Sequence, residues 1–296
     1  MTMLPHPFYK KSDEFPVPED KVKEVDEFYK WIKEQERFPN YSKEHAHLFL
    51  HACIWELPAA KKAIQRYGQI RANAPDIFDQ RDPLLPAMQF VYENAYMISL
   101  PNLTPDGYRL LVYRLRHTDP SKVNFGEATK AFCMFNDVQI SEDGPINGYV
   151  VIFDMKGVKL GHLAKVQFGP LRTFMNYIQE AHPVRLKKIY IVHTASFINQ
   201  IMALVRPLIK SELLGLLKFT TNGPSEFFGP EYLPEEYGGE LKSIEEFHVE
   251  QRKHIETEYR DWLIDSNNLR DAPKDKKANS GYLSSKITSL KGLEID

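Results

Sequence analysis

Residues Tyr149–Phe153 read YVVIF, an uninterrupted apolar run held between two turns, Glu142-Asp143-Gly144-Pro145 and Asp154–Gly157. A strand wet on one face alternates apolar and polar side chains. An unbroken run needs both faces covered, which is the situation of a parallel strand inside an α/β sheet. Arg109–Leu115 (RLLVYRL) reads as a strand before it, ended by Thr118-Asp119-Pro120. Between the two, Ala128, Ala131, Phe132 and Phe135 recur at helical spacing. After the run, the pattern predicts a helix from about Leu163 to Glu180 with Val166, Leu171, Phe174 and Ile178 buried, then a strand at Ile189–Val192. Strand, helix and strand at this spacing form a right-handed parallel crossover. Lys218–Thr221 is a candidate further short strand, and Leu233–Gly239 (LPEEYGG) closes the unit in a turn.

The flanks are helical. Pro18-Glu19-Asp20 opens a first helix whose inner face carries Val25, Phe28, Tyr29 and Ile32. Ser42 caps a second, with His45, Phe49, Ala52 and Cys53 on its buried side. Pro58 opens a third with Ala60, Ala63, Ile64, Tyr67 and Ile70 inward, ended by Pro75. Pro83 and Pro86 precede a helix reaching about Ile98. At the other end, Glu245–Ile264 reads as a charged helix with Phe247, Ile255, Tyr259, Trp262 and Leu263 as its apolar minority. Beyond Asn267 the chain is polar and lysine-rich, the composition of a mobile tail. The expected organisation is a helical module over residues 1–80, an α/β domain over 81–245, and a charged helix with its tail over 246–296.

Composition removes several function classes. The 296 residues carry 38 Lys+Arg against 40 Asp+Glu, a net charge of −2, so no global basic footprint for nucleic acid exists. No apolar run is long enough to span a bilayer, and the first residues lack the apolar core of a secretory signal. The two cysteines, Cys53 and Cys133, have no metal spacing and fit a reducing, cytoplasmic compartment. Phosphate-cradling GxGxxG and GxxxxGK[ST] motifs and the nucleophile elbow GxSxG are absent, so no cofactor or enzyme class is implied. His45, His47 and His51 lie near one another on a helix but lack an HExxH context, and a helix surface suits them better than a metal site. Asp154 and His193 end neighbouring strands at the carboxyl edge, where α/β proteins place ligands. Either capping or catalysis accommodates them.

Two features remain without an assigned task. Ser196–Lys218 (SFINQIMALVRPLIKSELLGLLK) predicts two short helices jointed near Arg206–Pro207, with more apolar surface than one packing face needs. Arg185-Leu186-Lys187-Lys188 precedes the last long strand. In extended chain Arg185 and Lys187 point to one side, as a pair for a phosphate or as a solvated approach to the strand.

LFLHACIWELPAAKKAI (Leu48–Ile64), DGYRLLVYRLRHTDP (Asp106–Pro120), GYVVIFDMKGVKLGHL (Gly148–Leu163), PVRLKKIYIVH (Pro183–His193) and LPEEYGG together resemble the CRAL-TRIO lipid-binding family, on its tocopherol transfer and retinaldehyde-binding branch. The resemblance implies an amino-terminal helical module and an α/β domain with a mostly parallel sheet as the floor of an apolar cavity. Ser196–Lys218 becomes its movable helical lid. It implies non-enzymatic binding and transfer of a lipophilic small molecule such as a tocopherol, retinoid or carotenoid. The candidate lining is Ala131, Phe135, Val151, Phe153, Phe174, Ile178, Ile201, Met202, Val205 and Ile209. Arg185 and Lys187 match half of a phosphoinositide cleft used to dock on membranes. The other half falls on Glu212 and Leu216, so one charge is reversed, with Lys210 and Lys218 as partial substitutes. His51 stands where arginine is common in the family. Ala131 and Phe135 align with serines of the tocopherol branch, which frees the ligand's identity. The competing reading is a membrane-recruited regulatory module that uses Arg185 and Lys187 without transfer.

Overall fold

The computed structural model describes residues 16–265 and Asp271. The first helices pack through their apolar stripes: α1 (Val22–Lys33), α2 (Lys43–Ala52), α3 (Leu57–Asn73) and α4 (Pro75–Phe78) bury Val25, Phe28, Phe49, Ile64, Tyr67 and Phe78 in one cluster. Ser42 is the amino-terminal cap of α2, and its backbone N–H donates to His45 Nδ1 at 3.1 Å. His45 and His47 are buried, not on a helix surface. The capping bond fixes the first ring, and burial pushes its pKa down to about 3, so it stays neutral.

α5 (Pro86–Asn94) ends before the expected Ile98, and the chain passes directly into β1 (Ala95–Ser99). The reason is tertiary: β1 completes the free edge of β2 (Tyr108–Leu115) as its antiparallel partner, Ala95 opposite Leu115. β3 (Gly148–Asp154), β4 (Leu186–Val192) and β5 (Leu217–Phe219) follow as parallel neighbours, giving the order β1-β2-β3-β4-β5 among the described residues. Both faces of β3 are covered, as its apolar run requires. Tyr149, Val151 and Phe153 join the cluster under α6 (Phe125–Asp143), and Val150 and Ile152 join the one under α11 (Ile244–Thr257).

Two expected helices are each divided. In place of one helix over 163–180 there is a single turn, α7 (Leu160–Leu163), and then α8 (Phe168–Glu180). Pro170 explains the break: it is tolerated in the first turn of α8, where its missing N–H costs nothing, but not in a helix interior. The carboxyl-terminal helix breaks after Thr257 and resumes as α12 (Arg260–Asp265), with Tyr259 and Trp262 both in the core. The tail expected beyond Asn267 lies outside the described residues except for Asp271. The LPEEYGG turn is held by geometry. Gly238 has φ +75, and a Cβ on Gly239 would lie 1.8 Å from the Leu233 carbonyl oxygen.

Candidate functional site

Between the sheet and the segment 196–218 lies a cavity of about 290 Å³. Its floor is Tyr149, Val151 and Phe153 on β3, with Ile189 and Ile191 beside them on β4. Phe174 and Ile178 project from α8, and Phe132 and Asn136 from α6. The outer wall comes from α9 (Ile198–Val205), a 3₁₀ turn at Arg206–Leu208, and α10 (Ser211–Leu214). It supplies Ile201, Met202, Val205, Ile209 and Leu213. Pro207 sits in the turn, where the sequence places the joint.

No residue from Phe197 to Phe219 is buried, although α9 reads INQIMALV. A helix this apolar with no buried side chain faces empty space on the cavity side and solvent on the other. Among the described residues, no lysine, arginine, aspartate or glutamate lines the cavity. Its polar groups are few. Asn136 Nδ2 donates to Tyr113 Oη at 2.8 Å and to the Phe132 carbonyl at 2.8 Å. The phenol of Tyr149 is pushed above its ordinary range by burial. His182 is pushed down to about 4, again by burial, and is a neutral imidazole at pH 7.

Asp154 lies off this cavity. Its Oδ1 accepts from the Lys156 backbone N–H at 2.8 Å, the capping role open to it from sequence, and is 2.8 Å from His193 Nδ1. Its Oδ2 accepts from Tyr237 Oη at 2.9 Å, with Arg114 Nε at 3.5 Å. The carboxylate thereby ties the ends of β2, β3 and β4 to the LPEEYGG turn. A second buried carboxylate that sequence inspection missed is Asp137 on α6. Its Oδ2 takes Nη2 of Arg71 at 2.6 Å and of Arg81 at 2.5 Å, joining the amino-terminal helices to the α/β region.

Arg185 and Lys187 line a separate groove of about 570 Å³ with Lys210, Glu212, Leu213 and Leu216, beside Ala52 and Ile54. Arg185 Nε donates to the His51 carbonyl at 2.7 Å. A β-bulge between β3 and β4, where Tyr149 pairs with Leu186 but Val150 with Lys188, interrupts the alternation at Lys187. Lys187 Nζ consequently leans over the Tyr108 ring, 5.4 Å from its centre, and lines a cleft on the other side of the strand as well.

A family model described as the CRAL/TRIO domain matches residues 93–239, and one described as a Pinta-like UBA domain matches residues 17–88. The chain carries a CRAL/TRIO domain over residues 93–239. Among relatives it is similar to human "Alpha-tocopherol transfer protein-like", 26% identical over 237 residues, covering 75% of this chain and 66% of that protein, just under two thirds. It is also similar to "Clavesin-1" of Rattus norvegicus, 23% identical over 197 residues, covering 65% of this chain and 56% of that protein. The crystal structure of Sfh5 aligns with 81% of this chain and 97% of its own at 14% identity and a TM-score of 0.49.

The structure brings Val151, Phe153, Phe174, Ile178, Ile201, Met202, Val205 and Ile209 together around one cavity. Ala131 and Phe135, expected in the lining, are not on it. Both are buried between α6 and the sheet, and the helix presents Phe132 and Asn136, one residue further on, to the cavity. Helical spacing names a face to within one residue, so it could not choose between these pairs. Ile189 and Ile191 were readable, since each stands opposite a floor residue of β3 in parallel register. Lys210 reaches the groove of Arg185, while Lys218 does not line it.

Proposed function

We propose that the protein binds a neutral lipophilic small molecule in the cavity beneath α9 and transfers it between membranes, with Ser196–Lys218 as the lid. It would act in the cytoplasm and be peripheral to membranes during transfer. The observation that carries this reading is the apolar cavity whose outer wall contains no buried residue. Covering about 400 Å² of ligand at about 25 cal/mol per Å² is worth on the order of 10 kcal/mol before association costs are met. Micromolar or tighter binding needs no covalent chemistry.

The wall also restricts the ligand. An ionised carboxylate or phosphate in a cavity without charged residues costs several kcal/mol of unrecovered solvation. A single hydroxyl or carbonyl has Asn136 or His182 as a partner. The chain isolated from a lipid-containing host should release a neutral lipid on solvent extraction, identified by mass spectrometry. Retinol should bind well ahead of retinoic acid in a fluorescence titration. A chain that is empty and binds none of a panel of retinoids, tocopherols, carotenoids and phospholipids ends the reading.

The groove of Arg185, Lys187 and Lys210 supports a second element, docking on anionic lipid, phosphoinositide included. Glu212 in the same groove weakens it. Sedimentation with phosphoinositide-containing vesicles should fall in the Arg185→Glu and Lys187→Glu variants. Unchanged sedimentation removes the docking site and leaves the cavity untouched.

A further inference from the structure

The joint of the outer wall is clamped by two consecutive side chains at the end of α8. Gln179 Nε2 donates to the Leu208 carbonyl at 3.0 Å, and its Oε1 accepts from the Lys210 backbone N–H at 2.7 Å. One primary amide therefore pairs with both sides of Ile209, as a neighbouring strand would. Ile209 itself is extended and turns its side chain into the cavity. The same Nε2 donates to the Met175 carbonyl one turn back at 2.7 Å, which fixes the amide's orientation on α8. Glu180 continues the clamp. Its Oε1 pairs with Lys210 Nζ at 2.9 Å, and its Oε2 with Arg66 on α3 at 2.8 Å. One carboxylate thus links the amino-terminal helices to the residue at which the wall turns.

The rest of the wall is held weakly by comparison. Its apolar side chains are half-buried over a cavity, where contacts are few, and Glu212 is exposed. From residue 196 to 214 the polar clamp at 208–210 supplies the directional bonds to the body of the protein; beyond it the chain is anchored again where β5 pairs with β4. Opening the wall at Pro207 must break it.

We infer that Gln179 and Glu180 are positioning residues that hold the cavity closed and set the rate of ligand entry and exit, with Arg66 steadying Glu180. This rests on the carrier reading above. Because the wall closes over the empty and the filled cavity alike, weakening the clamp accelerates entry and exit together and leaves Kd nearly unchanged. Damage to the cavity itself raises Kd instead.

Two measurements on the full chain test this and separate it from the carrier reading. The first needs no ligand: amide hydrogen exchange at Lys210 should quicken in Gln179→Ala. The second follows Nile red, a neutral apolar dye, entering the protein and leaving to phosphatidylcholine vesicles. Gln179→Ala and Lys210→Met should raise both rates by roughly three- to tenfold, the equivalent of one or two net hydrogen bonds. Lys210→Arg, which keeps the pair with Glu180, should stay near wild type, and Arg66→Gln should give a smaller rise of the same sign. Unchanged exchange at Lys210 overturns the clamp, and so does faster exchange with unchanged dye release. A rise in Kd with unaltered entry overturns it too. A wild-type chain that takes up no Nile red removes the carrier reading and any gating role together, whereas uptake with wild-type release in every variant removes the clamp alone.

Discussion

At the scale of single residues, the strongest constraints are buried polar groups. Asp137 is shared by two guanidiniums that are themselves buried, and Arg71 is also sandwiched against the Tyr67 and Phe78 rings at 4.6 and 4.7 Å. Removing the shared carboxylate takes a counter-ion from two cations in the interior. Asp137→Ala should cost about 3–5 kcal/mol, read as a lower urea midpoint; a loss under 1 kcal/mol would mean the pair is solvated. The buried His45 and the half-buried His182 predict a pH dependence. His45 and His182 are pushed down from 6.5 to about 3 and about 4, both chiefly by burial. Between pH 6.5 and 5 the unfolded chain therefore binds protons that the folded chain refuses, and stability falls as pH drops. Each such histidine contributes about 1.4 kcal/mol per pH unit once well below its unfolded pKa. Urea midpoints at pH 7.5 and 5.5 check the sign, and His182→Asn should flatten the profile.

At the scale of elements, α9 is the informative one. In a packed core, an apolar helix buries its stripe; here Ile201, Met202 and Val205 border a void. Truncating one of them to alanine should therefore leave stability nearly intact, whereas a carboxylate there should harm transfer. Met202→Glu or Val205→Asp is expected to slow delivery to vesicles, because the exposed apolar face of an opened lid is what enters the interfacial region. Delivery at the wild-type rate would place opening elsewhere. β4 carries the opposite lesson. Its bulge gives Lys187 to two surfaces at once, so the effect of Lys187→Glu need not match that of Arg185→Glu.

At the scale of the whole molecule, a ligand that fills the cavity stabilises only the folded chain. At a free concentration one hundred times Kd it should add about 2.7 kcal/mol, seen as a Tm several degrees above that of the delipidated protein. Equal Tm values for loaded and stripped protein would contradict binding in the cavity. Much of the frame was legible in the chain itself. The unbroken YVVIF run demanded a strand covered on both sides, the helical stripes set α3 and α6, and Pro207 marked the joint, all through local periodicity and the chemistry of proline. Three things were decided only in three dimensions. β1 exists because β2 had an edge to pair, which no local pattern records. Phe132 and Asn136 face the cavity in place of Ala131 and Phe135, because helix rotation is set by packing on the sheet. The joining of Arg71 and Arg81 to Asp137, and of Gln179 and Glu180 to Leu208 and Lys210, depends on segments distant in sequence, and a polar side chain carries no sign of its partner until the chain has folded around it.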